Sequence, residues 1–254
     1  MKKLYLLLVS SFLCVQLFAQ EAEPSKVRLG FKAQPIFSWM SFETKNVSSD
    51  GMRVGGKFGL MTDVRLGKNY AFATGLDFLM TGGHAAISDS VYKINQVSFG
   101  NDTIYLRSRG YKFQYLEIPL TLKMKTNQIG YFTYFIQLGG AIGFNISAKA
   151  DDAGVSSKGI DNLETVKLKA GLGSGSEVKL IRTEVNVGIG TEWAIQGNLS
   201  LVVGASFHKG LTNVFNGKNA NLTEQYRSGA GVVNNQIAQK SSANYVSLNI
   251  GLLF

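Results

Sequence analysis

The sequence predicts an all-β protein, a closed up-and-down antiparallel transmembrane β-barrel of about eight strands. Segment after segment alternates between apolar and polar residues, which is the two-residue period of a β-strand. Charged residues of these segments share one face, and the opposite face is apolar. The last such segment ends at Phe254. A strand that closes a barrel in a membrane must present an apolar face of this kind to lipid.

Residues 1–19 predict a cleaved secretory signal at the amino end. A charged start is followed by an apolar run up to Phe18, and the small residue Ala19 suits the position before cleavage. The run is short for a membrane-spanning helix, which needs about 20 apolar residues, and this favours cleavage over an uncleaved anchor. Residues 20–254 are then expected to form one outer-membrane β-barrel domain.

Cysteine and charge exclude several classes of function. The one cysteine, Cys14, lies within the predicted signal, so we expect no disulfide, thiolate metal site or cysteine nucleophile in the mature chain. The net charge of +9, from 26 basic and 17 acidic residues, falls to 24 − 17 = +7 when Lys2 and Lys3 leave with the signal. In an exported protein, such a charge predicts outer-membrane lipid and lipopolysaccharide as partners, and no nucleic acid.

Eight segments carry the alternation. They cover residues 27–39, 53–66, 70–80, 115–124, 132–146, 182–195, 199–207 and 245–254. In the last of them, Val246, Leu248, Ile250 and Leu252 share the apolar face with Phe254. We therefore expect eight antiparallel strands whose apolar faces contact lipid.

The connections between these segments alternate in length. Short turns are expected near 67–69, 126–130 and 196–198, and long polar loops near 82–110, 148–178 and 210–242, with a shorter loop near 43–50. Short periplasmic turns and longer outward loops are typical of outer-membrane barrels, which predicts that both termini are periplasmic. The charged residues of the second long loop are candidates for contact with lipopolysaccharide phosphates.

Two other folds are alternatives to the membrane barrel. Residues 126–148 hold no charge and could form a transmembrane helix, but Gln137, Asn145 and the many glycines disfavour it. A soluble β-sandwich or lipocalin-like barrel would turn the apolar faces inward. The predicted signal and the aromatic residues near strand ends, such as Trp39 and Trp193, favour the membrane barrel.

One segment carries a family resemblance. Residues 115–125 read Tyr-Leu-Glu-Ile-Pro-Leu-Thr-Leu-Lys-Met-Lys, which resembles the hallmark strand of the PorT-like outer-membrane β-barrel family of Bacteroidetes. Residues 139–145, 187–192 and 249–254 are similar to further strands of that family. The resemblance implies an outer-membrane barrel without catalytic residues, whose namesake is implicated in a secretion and gliding apparatus. It also implies that Phe254 ends the insertion signal read by the barrel-assembly machinery.

The polar face of the strands predicts a charged lumen. Ten residues are expected to form a lumen ion-pair network: Arg53, Lys57, Asp63, Arg65, Asp77, Glu117, Lys123, Arg182, Glu184 and Glu192. Side chains fill the interior of a barrel of about eight strands, so mixed signs there predict a lumen plugged by ion pairs. A gated narrow channel, and so a narrow porin, is the alternative.

Glu117 and Pro119 both face inward on the hallmark strand. Pro119 lacks an N–H for the ladder, which predicts a local distortion that places Glu117 against a basic partner such as Lys123, Arg65 or Arg182. A catalytic carboxylate is the alternative interpretation of Glu117.

Few residues in the sequence suit catalysis or metal binding. Ser206 and His208 share one face and could form a hydrogen-bonded pair, as in a lipid-modifying enzyme, but the sequence offers no third, orienting group. The other histidine, His84, is far away in sequence, so no metal site is expected. We expect no catalytic residue, no bound metal and no cofactor.

The sequence therefore predicts a non-enzymatic outer-membrane barrel with a structural or surface-interaction role. Its expected partners are outer-membrane lipid, lipopolysaccharide, the barrel-assembly machinery and possible secretion-system proteins. The main alternative is a PorT-like component of an outer-membrane secretion or transport assembly.

Overall fold

The computed structural model of the chain describes residues 26–44, 47–87, 92–95, 103–156, 165–172, 177–216, 223–228, 231–236 and 239–254. The predicted signal at 1–19 lies outside the described residues. The described chain forms these strands: β1 (Val27–Phe42), β2 (Val47–Ser49), β3 (Arg53–Arg65), β4 (Tyr70–Ile87), β5 (Tyr92–Asn95), β6 (Thr103–Lys125), β7 (Phe132–Ser156), β8 (Thr165–Leu172), β9 (Ile181–Gln196), β10 (Leu199–Gly210), β11 (Thr223–Ser228), β12 (Gly231–Gln236) and β13 (Ser241–Leu253).

Eight of these strands close into an antiparallel barrel, in the order β1, β3, β4, β6, β7, β9, β10 and β13. The ring closes because β13 pairs with β1, with Phe31 opposite Leu252 and Phe37 opposite Val246. At its end, the Phe254 N–H donates to the Leu29 carbonyl at 2.8 Å. The predicted fold class, a closed eight-stranded up-and-down barrel, is confirmed.

The outer face of the barrel is apolar. On β6, Leu116, Ile118, Leu120, Leu122 and Met124 all point outward. Phe132 stacks on Trp193 at 5.9 Å between ring centroids near the short turns, and Trp39 stacks on Phe207 at 6.2 Å toward the opposite end. An apolar band with aromatic residues toward both ends is the exterior of a barrel that sits in a bilayer.

The alternative of a transmembrane helix over residues 126–148 is wrong. From Phe132 onward this segment lies in β7, paired with β6 on one side and β9 on the other. No helix in the described part of the chain is long and apolar enough to cross a membrane.

The long loops expected near 82–110, 148–178 and 210–242 contain strands instead. β4 continues to Ile87, β6 begins at Thr103 and β7 continues to Ser156, while β5, β8, β11 and β12 add to the same sheet. Polar composition was the basis for expecting loops there. Beyond the bilayer, however, a strand keeps its ladder hydrogen bonds and no longer needs an apolar outward face, so polar residues are compatible with it.

The short turns lie at the end of the barrel that holds the start of β1 and the end of β13, and we call this the turn end. The β9–β10 connection is only Gly197 and Asn198, with Gly197 at a φ of 54°. A left-handed φ of this kind is strained for residues with a Cβ, and glycine adopts it freely.

Pro119 and Pro35 both coincide with interruptions of the ladder. The β4–β6 pairing skips from Leu120 to Glu117, and the β1–β13 pairing skips from Ala33 to Ile36. A proline has no N–H to donate, so the neighbouring strand parts from it locally. The predicted distortion at Pro119 thus lies directly beside Glu117.

Candidate functional site in the barrel lumen

Side chains fill the barrel lumen in layers along its axis. We define three layers, starting from the turn end. The turn-side cluster is Arg28, Asp63, Lys123, Lys125 and Glu192; the central cluster is Lys32, Lys57, Asp77, Glu117, Arg182, Glu184, His208 and Tyr245; the aromatic layer is Tyr111, Phe113, Tyr115 and Phe215.

Glu117 is the hub of the central cluster, and its side chain is 0% exposed. Its Oε2 lies 3.0 Å from Lys57 Nζ and its Oε1 lies 2.6 Å from Arg182 Nη1. Gly143 stands opposite Glu117 on β7, and a Cβ there would lie 3.0 Å from Glu117 Cγ. The glycine thus leaves the space in which the carboxylate reaches two cations.

The ion pairs extend from this hub in both directions. Arg182 Nη2 also lies 2.6 Å from Glu184 Oε2. Lys57 Nζ lies 3.4 Å from Asp77 Oδ2, which lies 2.7 Å from Lys32 Nζ. Five strands (β1, β3, β4, β6 and β9) therefore share one connected network.

The turn-side cluster repeats this arrangement near the short turns. Lys123 Nζ lies 2.8 Å from Asp63 Oδ2, Lys125 Nζ lies 2.6 Å from Glu192 Oε1, and Arg28 Nη1 lies 2.8 Å from Glu192 Oε2. Arg28 and Lys125 keep 16% and 14% of their side chains exposed, so this layer meets solvent at the rim.

Eight of the ten residues expected in the lumen are buried in these two clusters, namely Lys57, Asp63, Asp77, Glu117, Lys123, Arg182, Glu184 and Glu192. The other two need correction. Arg65 is exposed and Arg53 is half-buried, and neither forms an ion pair with any described residue. Arg53 is the first residue of β3 and Arg65 is the last. Their side chains therefore lie at the two ends of this strand and not in the middle of the lumen.

Glu117 has two basic partners, Lys57 and Arg182. Of the three candidates expected from the sequence, Arg182 is one of them. Lys123 pairs with Asp63 instead, and Arg65 is too exposed to contribute.

Sequence reasoning missed four members of the clusters: Arg28, Lys32, Lys125 and Tyr245. Arg28 and Lys32 lie on the polar face of β1, and Lys125 continues the polar face of β6, so alternation alone could have found them. Tyr245 gave no such signal, because a tyrosine on an inward face is as compatible with packing as with the hydrogen bond that its hydroxyl donates to Glu184 at 2.8 Å.

His208 has different partners from those expected. Its Nδ1 lies 2.7 Å from Glu184 Oε1, and its Nε2 lies 3.3 Å from the hydroxyl of Ser247. Ser206 instead accepts hydrogen bonds from Asn249 at 2.7 Å and from Gln137 at 3.0 Å. His208 therefore has an orienting group, the carboxylate of Glu184. Glu184 lies on the neighbouring strand β9, so the sequence around His208 cannot indicate this contact.

Ser247, His208 and Glu184 follow one another in the order serine, imidazole and carboxylate, which is the order of a nucleophilic triad. Ser247 has 0% of its surface exposed, and the imidazole of His208 is stacked on Tyr245 at 4.2 Å between centroids. A substrate must reach the serine hydroxyl for such a triad to act, and in this structure that hydroxyl is buried.

A cavity of about 70 Å³ lies between the central and turn-side clusters. Its polar lining includes Lys32, Lys57, Lys123, His208, Gln34, Gln137, Asn186, Asn249, Thr74, Thr121 and Ser206. Gln34 Oε1 and Asn186 Oδ1 are buried and have no hydrogen-bond partner among the described residues. Within that part of the chain, no group of three or more His, Cys, Asp or Glu side chains is placed to hold a metal ion.

The aromatic layer fills the lumen beyond the central cluster. Tyr111 stacks on Phe113 at 5.8 Å and packs against Phe215 at 5.0 Å between centroids. Phe215 belongs to the segment after β10, which is held over the lumen because the Ser241 N–H donates to Asn213 Oδ1 at 2.9 Å. The rings of this layer are all buried, so it closes the lumen at the end away from the turns.

Comparisons with known proteins agree with the barrel. The family model described as "Outer membrane protein beta-barrel domain" matches residues 18–216. No curated protein matches the chain.

Several solved structures are similar in fold. Neisserial surface protein A is 12% identical, with 91% of this chain and 98% of that chain covered and a TM-score of 0.43. Ail, the attachment invasion locus protein of Yersinia pestis, is 13% identical, with 91% and 100% covered and a TM-score of 0.37. The outer membrane protease OmpT from Escherichia coli is 9% identical, with 93% and 99% covered and a TM-score of 0.35.

Proposed function

Since the chain belongs to the outer membrane protein β-barrel domain family, we propose that it is a non-conducting, non-enzymatic envelope protein. In this proposal the lumen is a plug of ion pairs and aromatic side chains, and the strand ends beyond the membrane carry a structural or surface-interaction role. The observation that carries the proposal is the aromatic layer, whose buried side chains close the lumen at the end away from the turns.

The plug is supported by the two kinds of layer in series. An ion entering from the turn end meets cations and carboxylates that are paired with one another, and farther along it meets the buried aromatic layer, which offers few groups to replace its hydration. Both features oppose steady conduction and so disfavour the narrow porin. The burial of Ser247 and His208 likewise disfavours the lipid-modifying enzyme.

Single-channel recording in planar bilayers tests the plug. We expect no steady conductance from the purified native chain across the voltage range that the bilayer tolerates. A reproducible open level from native protein would overturn this part of the proposal.

The surface role is supported by basic residues just beyond the apolar band. Lys112 and Lys149 lie directly opposite each other on β6 and β7, and Lys149 and Lys209 are exposed. With both termini in the periplasm, which we propose from the short turns at the same end, these lysines face the outer leaflet, where lipopolysaccharide phosphates lie. Replacing Lys149 and Lys209 by Gln should weaken lipopolysaccharide retention during purification, whereas Lys68→Gln at the turn end should leave it unchanged.

A PorT-like role in an outer-membrane secretion or transport assembly is the second candidate. The hallmark segment at residues 115–125 favours it. Glu117 of this segment is the hub of the central cluster, and Pro119 coincides with an interruption of the β4–β6 pairing. Cross-linking in intact outer membranes followed by purification of the chain separates the two. Recovery of secretion-system proteins supports this candidate, and recovery of lipopolysaccharide alone supports the envelope role.

We also propose that β13 carries the insertion signal and that Phe254 is its last element. Phe254 is exposed on the outer face, and its ring lies 6.0 Å from that of Phe31. Deleting Phe254 should reduce the amount of folded protein in the outer membrane, whereas Leu252→Ile on the same outer face should not. A normal membrane level of the deletion would contradict this assignment.

A further inference from the structure

We propose that the cavity between the two charged clusters is a binding site for a small monovalent anion of the size of chloride. The cavity holds about 70 Å³. At roughly 10–15 Å³ for each water-sized group, this is room for about five such groups. A halide with some of its hydration water fits there, and a lipid headgroup or a sugar phosphate does not.

The charges that line the cavity are all of one sign. Lys32, Lys57 and Lys123 reach it from β1, β3 and β6, and no carboxylate is part of its lining. Each of these lysines is also paired with an acid outside the lining, since Asp77 pairs with Lys32 and Lys57 and Asp63 pairs with Lys123. The charged groups that the cavity presents directly to a ligand are therefore cationic.

The charge count of the lumen leaves one cation without a matching acid. The two clusters contain six basic groups (Arg28, Lys32, Lys57, Lys123, Lys125 and Arg182) and five acids (Asp63, Asp77, Glu117, Glu184 and Glu192), so 6 − 5 = +1 with His208 neutral. The excess belongs to the turn-side cluster, which has three cations and two acids and lies next to the cavity through Lys123. A bound monovalent anion brings the sum to zero.

Neutral donors complete the site. The amides of Gln34 and Asn186 line the cavity, and their buried oxygens have no partner among the described residues. The two ends of an amide exchange places by a half-turn of the side chain, so each can present its NH₂ group to an anion. Thr74 and Thr121 add hydroxyl groups to the same lining. This donor set replaces the water that the anion leaves behind.

Entry is expected from the turn end. Arg28 and Lys125 are the two partly exposed members of the turn-side cluster, and Lys125 is on the same strand as the cavity residue Lys123. Cations at the mouth raise the local anion concentration. The opposite end is closed to ions by the aromatic layer.

Thermal unfolding of the purified full chain in detergent tests the site. Melting is compared in sodium chloride, sodium bromide and sodium gluconate at equal ionic strength, since gluconate is too large for the cavity. A ligand that binds only the folded state raises its stability, and we expect Tm to be higher in the two halides by roughly 2–4 °C. Equal Tm in all three salts would overturn the proposal.

A matched pair of variants locates the effect. Lys32→Met removes a cation of the cavity lining, and Lys112→Met removes a lysine whose pair with Asp151 lies outside the lumen with about 40% of its side chain exposed. The halide effect should disappear in Lys32→Met and persist in Lys112→Met. If both variants keep it, halide acts elsewhere on the protein and the proposal fails.

Crystals of the native chain in bromide give a readout that does not depend on the folding of a variant. We expect an anomalous peak within hydrogen-bond distance of Lys32 Nζ or Lys123 Nζ. Bromide peaks confined to the protein surface would overturn the assignment.

Discussion

The central cluster and the aromatic layer fill the same barrel by opposite means. Glu117 holds Lys57 and Arg182 through directed contacts of 3.0 and 2.6 Å, so each member depends on the identity of its partners. Tyr111, Phe113 and Phe215 hold one another by shape and area. A change in charge should therefore destabilise the central cluster, and a change in side-chain volume should destabilise the aromatic layer. Closing the lumen twice, by two kinds of interaction, means that no single substitution should open it.

The largest effect is expected from breaking the hub of the central cluster. Glu117→Gln keeps the shape of the side chain and removes the charge that Lys57 and Arg182 share. Removing one partner of a buried ion pair lowers the free energy of unfolding by about 3–5 kcal/mol. Urea unfolding in lipid vesicles, followed by the fluorescence of Trp39 and Trp193, measures this loss. The solvent-exposed pair removed by Lys112→Met is the control, with an expected cost of less than about 1 kcal/mol.

A loss of volume in the aromatic layer should lower the free energy of unfolding by a similar amount. Phe113→Ala removes a ring that is 1% exposed and packed against Tyr111, Tyr115 and Phe215. Substitutions of this type cost about 3–5 kcal/mol, and the more conservative Phe113→Leu roughly 1–2 kcal/mol. A gradation between the two variants is expected in the same vesicle assay. Equal costs would show that the layer is not held by shape, and the contrast with the central cluster would then be lost.

Ser247→Ala tests whether the charged layer has a chemical role in addition to its structural one. The variant removes a hydroxyl that lies 3.3 Å from His208 Nε2 and donates to Asn249 Oδ1 at 2.9 Å. We expect a cost near 1 kcal/mol and unchanged lipid A and phospholipid profiles in cells. A changed lipid profile at normal protein level would support the lipid-modifying enzyme against our proposal.

The smallest effect is expected where the charged region meets solvent. Lys125→Met removes a cation that is 14% exposed, and Glu192 keeps Arg28 at 2.8 Å. Water at the rim replaces part of what is lost, so we expect a cost of less than about 1 kcal/mol. If Lys125→Met were as costly as Glu117→Gln, the turn-side and central clusters would have to be regarded as one rigid unit.

The sequence was sufficient to predict the ring of strands and most of its buried charges. In residues 116–124, for example, the alternation of apolar and polar residues determines which side chains contact lipid. This alternation is visible from positions two residues apart, without knowledge of the neighbouring strands. The order in which strands pair also followed, because antiparallel neighbours joined by short turns leave little choice.

The missing parts were those that depend on register between strands. That Glu184 would contact His208, or that Gly143 would stand opposite Glu117, requires knowing how far each strand is shifted along its neighbour. Tyr111 and Phe113 lie between the loop expected near 82–110 and the strand expected at 115–124, and the sequence pattern placed them in neither. Beyond the bilayer the outer face of a strand no longer has to be apolar, so the pattern that identified the strands fades there.

The seam between β1 and β13 has a consequence for the time course of folding. Phe31 and Leu252 face each other across it although more than two hundred residues separate them along the chain. Contacts between such distant residues form slowly, because the entropy of closing so large a loop has to be overcome first. All other neighbouring pairs of the ring are closer in sequence, so the barrel should spend the last stage of its assembly as an open, curved sheet. The two edges of that intermediate carry unpaired amide and carbonyl groups, which makes it the species most exposed to aggregation and most dependent on a catalyst of insertion.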